Sequence, residues 1–311
     1  MVILLHVSYT TIHDYSIKNA LFEGNLVFVN VVFTPFFMPA FFVITGMCTN
    51  FYKPFILFIW SSIKSIIIPV LIVMLPFNFY ITNSFDASFI LVDACWRWFC
   101  FALFISKVIY WCLCKLMPHN FRILVSVLMA VIAVVINKYD WGQNFLFYRH
   151  AMILSFFLAF GDLIKRHITK RLNLPILIAE TFTFLFICVG YYLTNHLVPP
   201  RITMDFNVDI TTLPLHWIIS ILGSIVILKL AQIINKSSFL EYLGRESLTI
   251  YIWHFFFIMI IDKILKDQIN ENQSIAISFV LFVIVFLGAL AGSLFTARIL
   301  DFKYLKWIKG K

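Results

Sequence analysis

The sequence predicts an all-α protein, a polytopic transmembrane helical bundle of about ten spans, the first of them truncated. Three observations predict it. Hydrophobic residues make up 62% of the 311 residues and charged residues only 13%, about half the usual share in a soluble domain. The mean hydropathy is +0.94, and no soluble core needs so much apolar surface. The apolar residues also come in long runs, and a run of about 20 is what a bilayer demands of a helix that crosses it.

Taken in order, the runs are Met1–Thr10, Leu26–Cys48, Ser62–Tyr80, Arg97–Leu116, Ile123–Ile136, Phe145–Leu163, Leu174–Thr194, Leu213–Ile234, Leu248–Ile264 and Ile275–Ala297. Two are short. Ile123–Ile136 falls below a full span. Met1–His13 as a helix covers roughly 20 Å, against about 30 Å of hydrocarbon, so the first helix is expected to begin upstream of Met1. No internal repeat interrupts the series. No polar stretch is long enough for a second domain, so residues 1–311 read as one integral-membrane domain.

The formal net charge is +9. The basic residues are scattered in short loops between apolar spans, which is a topology signal and argues against nucleic acid as a partner. With the N-terminus in the cytoplasm, sixteen Lys and Arg fall on the inner side, seven on the outer side, and Lys107 lies within a span. That asymmetry predicts both termini inside. The six cysteines form no CxxC pair and no Cys/His cluster, so neither a disulfide framework nor a metal site is expected.

Two apolar runs carry a polar stripe. His6, Tyr9, Thr10 and His13 stand at i, i+3, i+4 and i+7, one face of a helix. Ser247, Tyr251 and His254 stand at i, i+4 and i+7 in the ninth run, just after the Arg245–Glu246 pair. In lipid such a stripe must face protein or a watery cavity. Each histidine can therefore be a packed residue bonded to a carbonyl, or a functional one. Lys107 and Glu180 are intramembrane charges. They can neutralise each other, or Lys107 can meet an anionic group of a substrate. Pro39 frees a helix carbonyl, Gly46 permits close backbone approach, and Gly288 to Gly292 is a small-xxx-small packing pattern. The sequence holds no phosphate-binding glycine loop, no GxSxG elbow and no HExxH motif.

The order of motifs resembles the acyltransferase-3 family of bacterial membrane O-acyltransferases. Leu4-Leu5-His6 is similar to that family's first-span ending. Phe36 to Gly46 resembles its F-x-M-P-x-F-F-x-x-S-G stretch, and Lys64 to Pro69 its basic segment before a proline. Trp98-Phe99 through Leu103-Phe104 resembles W-F-L-x-x-L-F, and Phe156 to Gly161 resembles F-F-x-x-G. Gly244-Arg245-Glu246-Ser247-Leu248, then Tyr251 and His254, resembles G-R-x-S-L-x-I-Y-x-x-H. Three departures stand out. Phe37 occupies the place of a histidine found in many relatives, Ser61 and Lys64 replace an RxxR pair, and the family's arginine before the first-span histidine would lie before Met1.

The resemblance implies an enzyme of the bacterial cytoplasmic membrane. It implies transfer of an acyl group, acetyl foremost, from acyl-CoA to a hydroxyl of a lipid-linked sugar or surface polysaccharide. The expected partners are acyl-CoA (acetyl-CoA as donor, with no bound cofactor), that glycan and membrane lipid. The residues read the same way. A neutral imidazole suits a general base, so His6 is expected to take the hydroxyl proton and His254 to orient the acceptor or stabilise the oxyanion. Tyr9, Thr10, Ser247 and Tyr251 share those faces and would position substrate. Lys64, Lys107 and Arg245 would meet the donor's anionic groups. The competing reading is a non-catalytic transporter or scaffold for glycan export.

Overall fold

The computed structural model describes residues 3, 6, 7, 20–82, 98–141, 145–165, 173–202, 206, 208–234, 237–265, 275–302, 305 and 308. Among these residues all regular structure is helical. Ile3, His6 and Val7 are helical. They are followed by α1 (Ala20–Cys48), α2 (Phe55–Ser62), a π-turn (Ile63–Ile67) and α3 (Ile68–Thr82). Then come α4 (Trp98–Leu116), α5 (His119–Lys138), α6 (Tyr148–Ile164), α7 (Leu174–Asn195) and α8 (Leu213–Ile233). The last three are α9 (Ser238–Arg245), α10 (Ser247–Leu265) and α11 (Ile275–Ile299).

Nine segments among the described residues are long and apolar enough to cross a membrane. They coincide with the second to tenth runs of the sequence; most of the first run, including Tyr9, Thr10 and nearby His13, lies outside the described residues. Two boundaries move. The third span starts at Phe55, because Pro54 opens a helix there that runs through Ser62, and the π-turn carries Lys64 on into α3 without a break. The fifth extends to His119–Lys138, a full 20 residues. Its added turn carries Arg122, whose guanidinium donates to the carbonyls of Met117 and Cys114 (both 3.2 Å) and to the Tyr52 hydroxyl (3.2 Å). Those bonds let a charged residue join an apolar helix. The ninth span is also divided: α9 ends at Arg245, and α10 begins after Glu246.

The chain forms two units, residues 1–34 with 236–311, and residues 35–235. In the first unit, Ile3 and Val7 pack with Ile258 of α10 and with Val285 and Ala289 of α11. The small-residue stripe of α11 works as a close-packing surface. A methyl added at Gly288 would lie 2.5 Å from the end of Ile261, and one at Gly292 would lie 2.5 Å from the Phe257 ring.

In the second unit α1 and α6 cross closely. A Cβ at Gly46 would sit 2.2 Å from the Leu158 carbonyl oxygen, and one at Gly161 would sit 2.1 Å from that of Val43. Helix α8 meets α1 at its proline. Pro39 has no N–H for the carbonyl four residues earlier, that of Pro35. The Ser220 hydroxyl donates to it instead, at 2.9 Å, a bond worth about 1 kcal/mol. Gly223, one turn on, makes room for the Phe36 ring. Phe99 of α4 presents its edge to Phe41 and Phe42, 5.0 and 5.4 Å between ring centres. The stretches Phe36–Gly46, Trp98–Phe104 and Phe156–Gly161 thus build one interior.

That interior contains an ionic centre. Asp162 of α6 is buried, accepts from the Tyr110 hydroxyl at 2.9 Å, pairs with Lys165, and lies 3.9 Å from Arg122. Two cations and a phenol therefore compensate one buried carboxylate, as desolvation requires.

Candidate functional site

His6 and the polar stripe of α10 are brought together in the first unit. The rings of His6 and His254 lie 5.1 Å apart between centres, tilted by 45°. Phe255 presents its edge to His6 at 5.7 Å. Tyr251 is buried, with its ring 5.8 Å from that of His254. His254 is itself buried, and its Nδ1 lies 3.0 Å from the Ile250 carbonyl one turn back. A carbonyl can only accept, so the proton of the neutral ring belongs on Nδ1 and Nε2 carries the lone pair. This is the tautomer a second imidazole or a hydroxyl can donate to. Two imidazoles at this separation can bind, hold and pass a proton, provided a hydroxyl reaches them.

The rest of the stripe is placed by the break between α9 and α10. Ser247 is half-buried at the first position of α10. Glu246 is buried at the N-terminal end of that helix, where its carboxylate meets the positive end of the helix dipole. It receives a hydrogen bond from the Thr249 hydroxyl at 3.5 Å. Arg245 lies 3.9 Å from Glu246 and 5.6 Å over the Tyr242 ring, with its side chain exposed.

Lys64 is half-buried within the π-turn Ile63–Ile67. A π-turn is a costly local geometry that recurs at functional positions. Lys107 of α4 lies 5.6 Å over the Phe58 ring. It does not neutralise Glu180. That carboxylate is taken by Lys229 of α8, whose ammonium donates to both of its oxygens at 2.7 and 2.6 Å. Helix α7 packs on α8, which brings Lys229 and not Lys107 within reach.

Two buried histidines were missed by the sequence reading. His216 of α8 is fully buried, with Nδ1 3.1 Å from the Pro200 carbonyl and 3.3 Å from the Ser220 hydroxyl. Ser220 and Ser224 follow it at i+4 and i+8, a polar stripe of the same kind as that of α10. That spacing was the available signal. His150 of α6 is ringed by Trp98, Phe147 and Phe206, at 4.9, 5.6 and 5.0 Å. Phe147 and Phe206 both hold left-handed backbone, φ 56° and 53°. That conformation costs a non-glycine residue about 1–3 kcal/mol, and only close packing maintains it. No periodicity announces such a residue.

A family model described as an acyltransferase domain matches residues 1–298. No curated protein and no solved structure matches the chain.

Proposed function

The chain belongs to the acyltransferase-3 family, and from that premise we propose that it transfers an acetyl group from acetyl-CoA to a hydroxyl of a lipid-linked sugar or surface polysaccharide. The observation that carries the proposal is the His6–His254 pair, two imidazoles from opposite ends of the sequence with ring centres 5.1 Å apart.

In the reaction, His6 takes the proton of the acceptor hydroxyl as its oxygen forms a bond to the thioester carbonyl carbon. The carbonyl π electrons move to oxygen, and the oxyanion then reforms the carbonyl as the carbon–sulfur bond breaks. The leaving thiolate receives the proton from the His6 imidazolium, so the base is restored. His254 orients the acceptor or stabilises the oxyanion, with its tautomer held by the Ile250 carbonyl. Tyr251, beside His254, shapes the acceptor end. On helical spacing Tyr9 and Thr10 share the face of His6, and Ser247 shares that of His254, so these residues would position the acceptor. Lys64 and Arg245 supply positive charge for the phosphates of the donor. With both termini in the cytoplasm, the donor enters from the inner side of the cytoplasmic membrane.

The test is the acetyl content of the surface glycan, measured by mass spectrometry in cells with wild-type protein, His6→Gln and no protein. Loss of a general base lowers a rate by about 10²–10⁴-fold. His6→Gln keeps comparable bulk and hydrogen bonding but cannot act as a base. It is expected to insert and accumulate normally and to leave the glycan unacetylated. Near-normal acetylation by His6→Gln refutes the base assignment. A change in glycan amount or location with no acetyl difference supports transport or scaffolding instead.

A further inference from the structure

Helix α4 presents Lys107, Trp111 and Lys115 at i, i+4 and i+8, one face over two turns. The segment before and within α2 lies against that face. The Trp111 indole donates to the Lys53 carbonyl at 3.0 Å and packs on Phe55 and Phe58, with ring centres 4.9 and 6.2 Å away. Lys115 donates to the Tyr52 carbonyl at 3.3 Å and lies 5.5 Å over the Trp111 ring. Lys107 lies over Phe58, and its charge is opposed by that of Lys53.

Three lysines therefore border one pinned indole: Lys115 lies over it, Lys107 stands one turn earlier on the same helix face, and Lys53 supplies the carbonyl that accepts its N–H. None forms an ion pair among the described residues, and the carboxylates of buried Asp162 and half-buried Glu180 are held by other cations. Gathered like charges are unfavourable unless an anion offsets them, the more so for Lys107, which lies within a span. Lys107 is half-buried, while Lys53 and Lys115 are exposed, so the face can be reached. An ammonium is a point charge with three donors, suited to phosphate oxygens.

We propose that Lys53, Lys107 and Lys115, framed on Trp111, bind phosphate esters at the nucleotide end of the acyl-CoA donor; this rests on the acyl-transfer reading above. Lys107 and Lys115 are about 12 Å apart along the helix axis. That spacing suits a ligand with phosphates at two positions, as the 3′-phosphate and pyrophosphate of CoA are. The headgroup of an anionic lipid offers the same phosphate-ester chemistry at a single position. Both-termini-in topology places Lys53 and Lys115 on the cytoplasmic side, where the donor is.

The experiment is equilibrium binding to the full chain in nanodiscs, made either from neutral phosphatidylcholine or with added phosphatidylglycerol. The probes are acetyl-CoA, 3′-dephospho-acetyl-CoA and acetyl-pantetheine, which lacks the nucleotide. In neutral discs, Lys107→Gln and the double variant Lys53→Gln/Lys115→Gln are each expected to weaken acetyl-CoA binding about tenfold. The loss is expected to be smaller for the dephospho form and absent for acetyl-pantetheine. Lys107→Arg keeps the charge and is expected to retain most of the affinity, which separates charge from misfolding. Unchanged acetyl-CoA affinity in both Gln variants overturns the site. An effect confined to phosphatidylglycerol discs, or equal for all three probes, assigns the face to lipid and also overturns it. If wild-type protein binds none of the probes, the acyl-CoA reading itself fails; if it binds acetyl-CoA and the variants do too, only this site fails.

Discussion

Gly46→Ala and Gly161→Ala perturb the α1–α6 crossing from its two sides. A methyl at Gly46 would sit 2.2 Å from the Leu158 carbonyl oxygen, and one at Gly161 would sit 2.1 Å from that of Val43. Ordinary contact begins at 3.4 Å, so the helices would have to part by 1.2 or 1.3 Å along those lines. The obstacle is backbone in each case, so no side chain can rotate aside. Overpacking of this kind costs about 1–3 kcal/mol, and backbone resistance places these two at the upper end. A loss of about 2 kcal/mol lowers the folded-to-unfolded ratio about 30-fold. Gly190→Ala in α7 is the internal control, because nothing lies within 4 Å of its added methyl. There the helix-propensity gain of up to about 1 kcal/mol acts alone. Reversible unfolding in detergent, followed by tryptophan fluorescence, should rank Gly190→Ala at or above wild type and both crossing variants well below it. If Gly161→Ala unfolds at the same denaturant concentration as Gly190→Ala, the close crossing is wrong.

Two further outcomes test the charged groups. Lys229→Met leaves the Glu180 carboxylate partly buried without its cation and is expected to cost about 1–3 kcal/mol, with each partner still 24% exposed. Adding Glu180→Gln should recover part of that loss, and strictly additive effects in the four-protein cycle would show that the pair is not coupled. Asp209 precedes α8 and accepts from the Thr211 hydroxyl at 2.7 Å, the Thr211 amide at 2.9 Å and the Thr212 amide at 2.8 Å. Those bonds, the Thr211 hydroxyl foremost, hold its carboxyl below the usual carboxylate range. The stabilisation is therefore present above the ordinary carboxylate value and is lost as pH falls through the lowered one. Asp209→Asn should melt below wild type at pH 6, and the gap should close in acid; a gap that persists at pH 2 would contradict the assignment.

The spans were legible because a bilayer leaves a helix little choice: backbone groups must be satisfied within the segment, and the segment must be long and apolar. Where polar residues join a helix, that logic falters. Ser61, Ser62 and Lys64 interrupt the apolar run, and the sequence reading starts the third span at Ser62. The chain instead starts the span at Phe55, takes both serines into α2, where the Ser61 hydroxyl donates to the Phe58 carbonyl, and takes Lys64 into the π-turn. Arg122 misleads in the same way, because its bonds to Tyr52, Cys114 and Met117 bridge residues up to 70 positions apart. Hydropathy measures each residue against lipid, whereas these residues are solvated by protein.

The site divides along a similar line. The faces of His6 and His254 follow from helical periodicity, because residues on one helix have fixed relative directions. Which faces meet does not follow from it. Glu180 shows the difference: Lys107 and Lys229 were both available on apolar helices, and only the pairing of α7 with α8 selects Lys229. His216 shows the converse. Its stripe with Ser220 and Ser224 is present in the sequence, but the stripe alone does not say what it meets. Its partners, the Pro200 carbonyl and Ser220, are both in the second unit. A polar stripe on a membrane helix therefore predicts a buried partner of some kind. Choosing between a carbonyl that fixes a tautomer and a second imidazole that can pass a proton requires the neighbouring helix, and that choice separates His216 from His6.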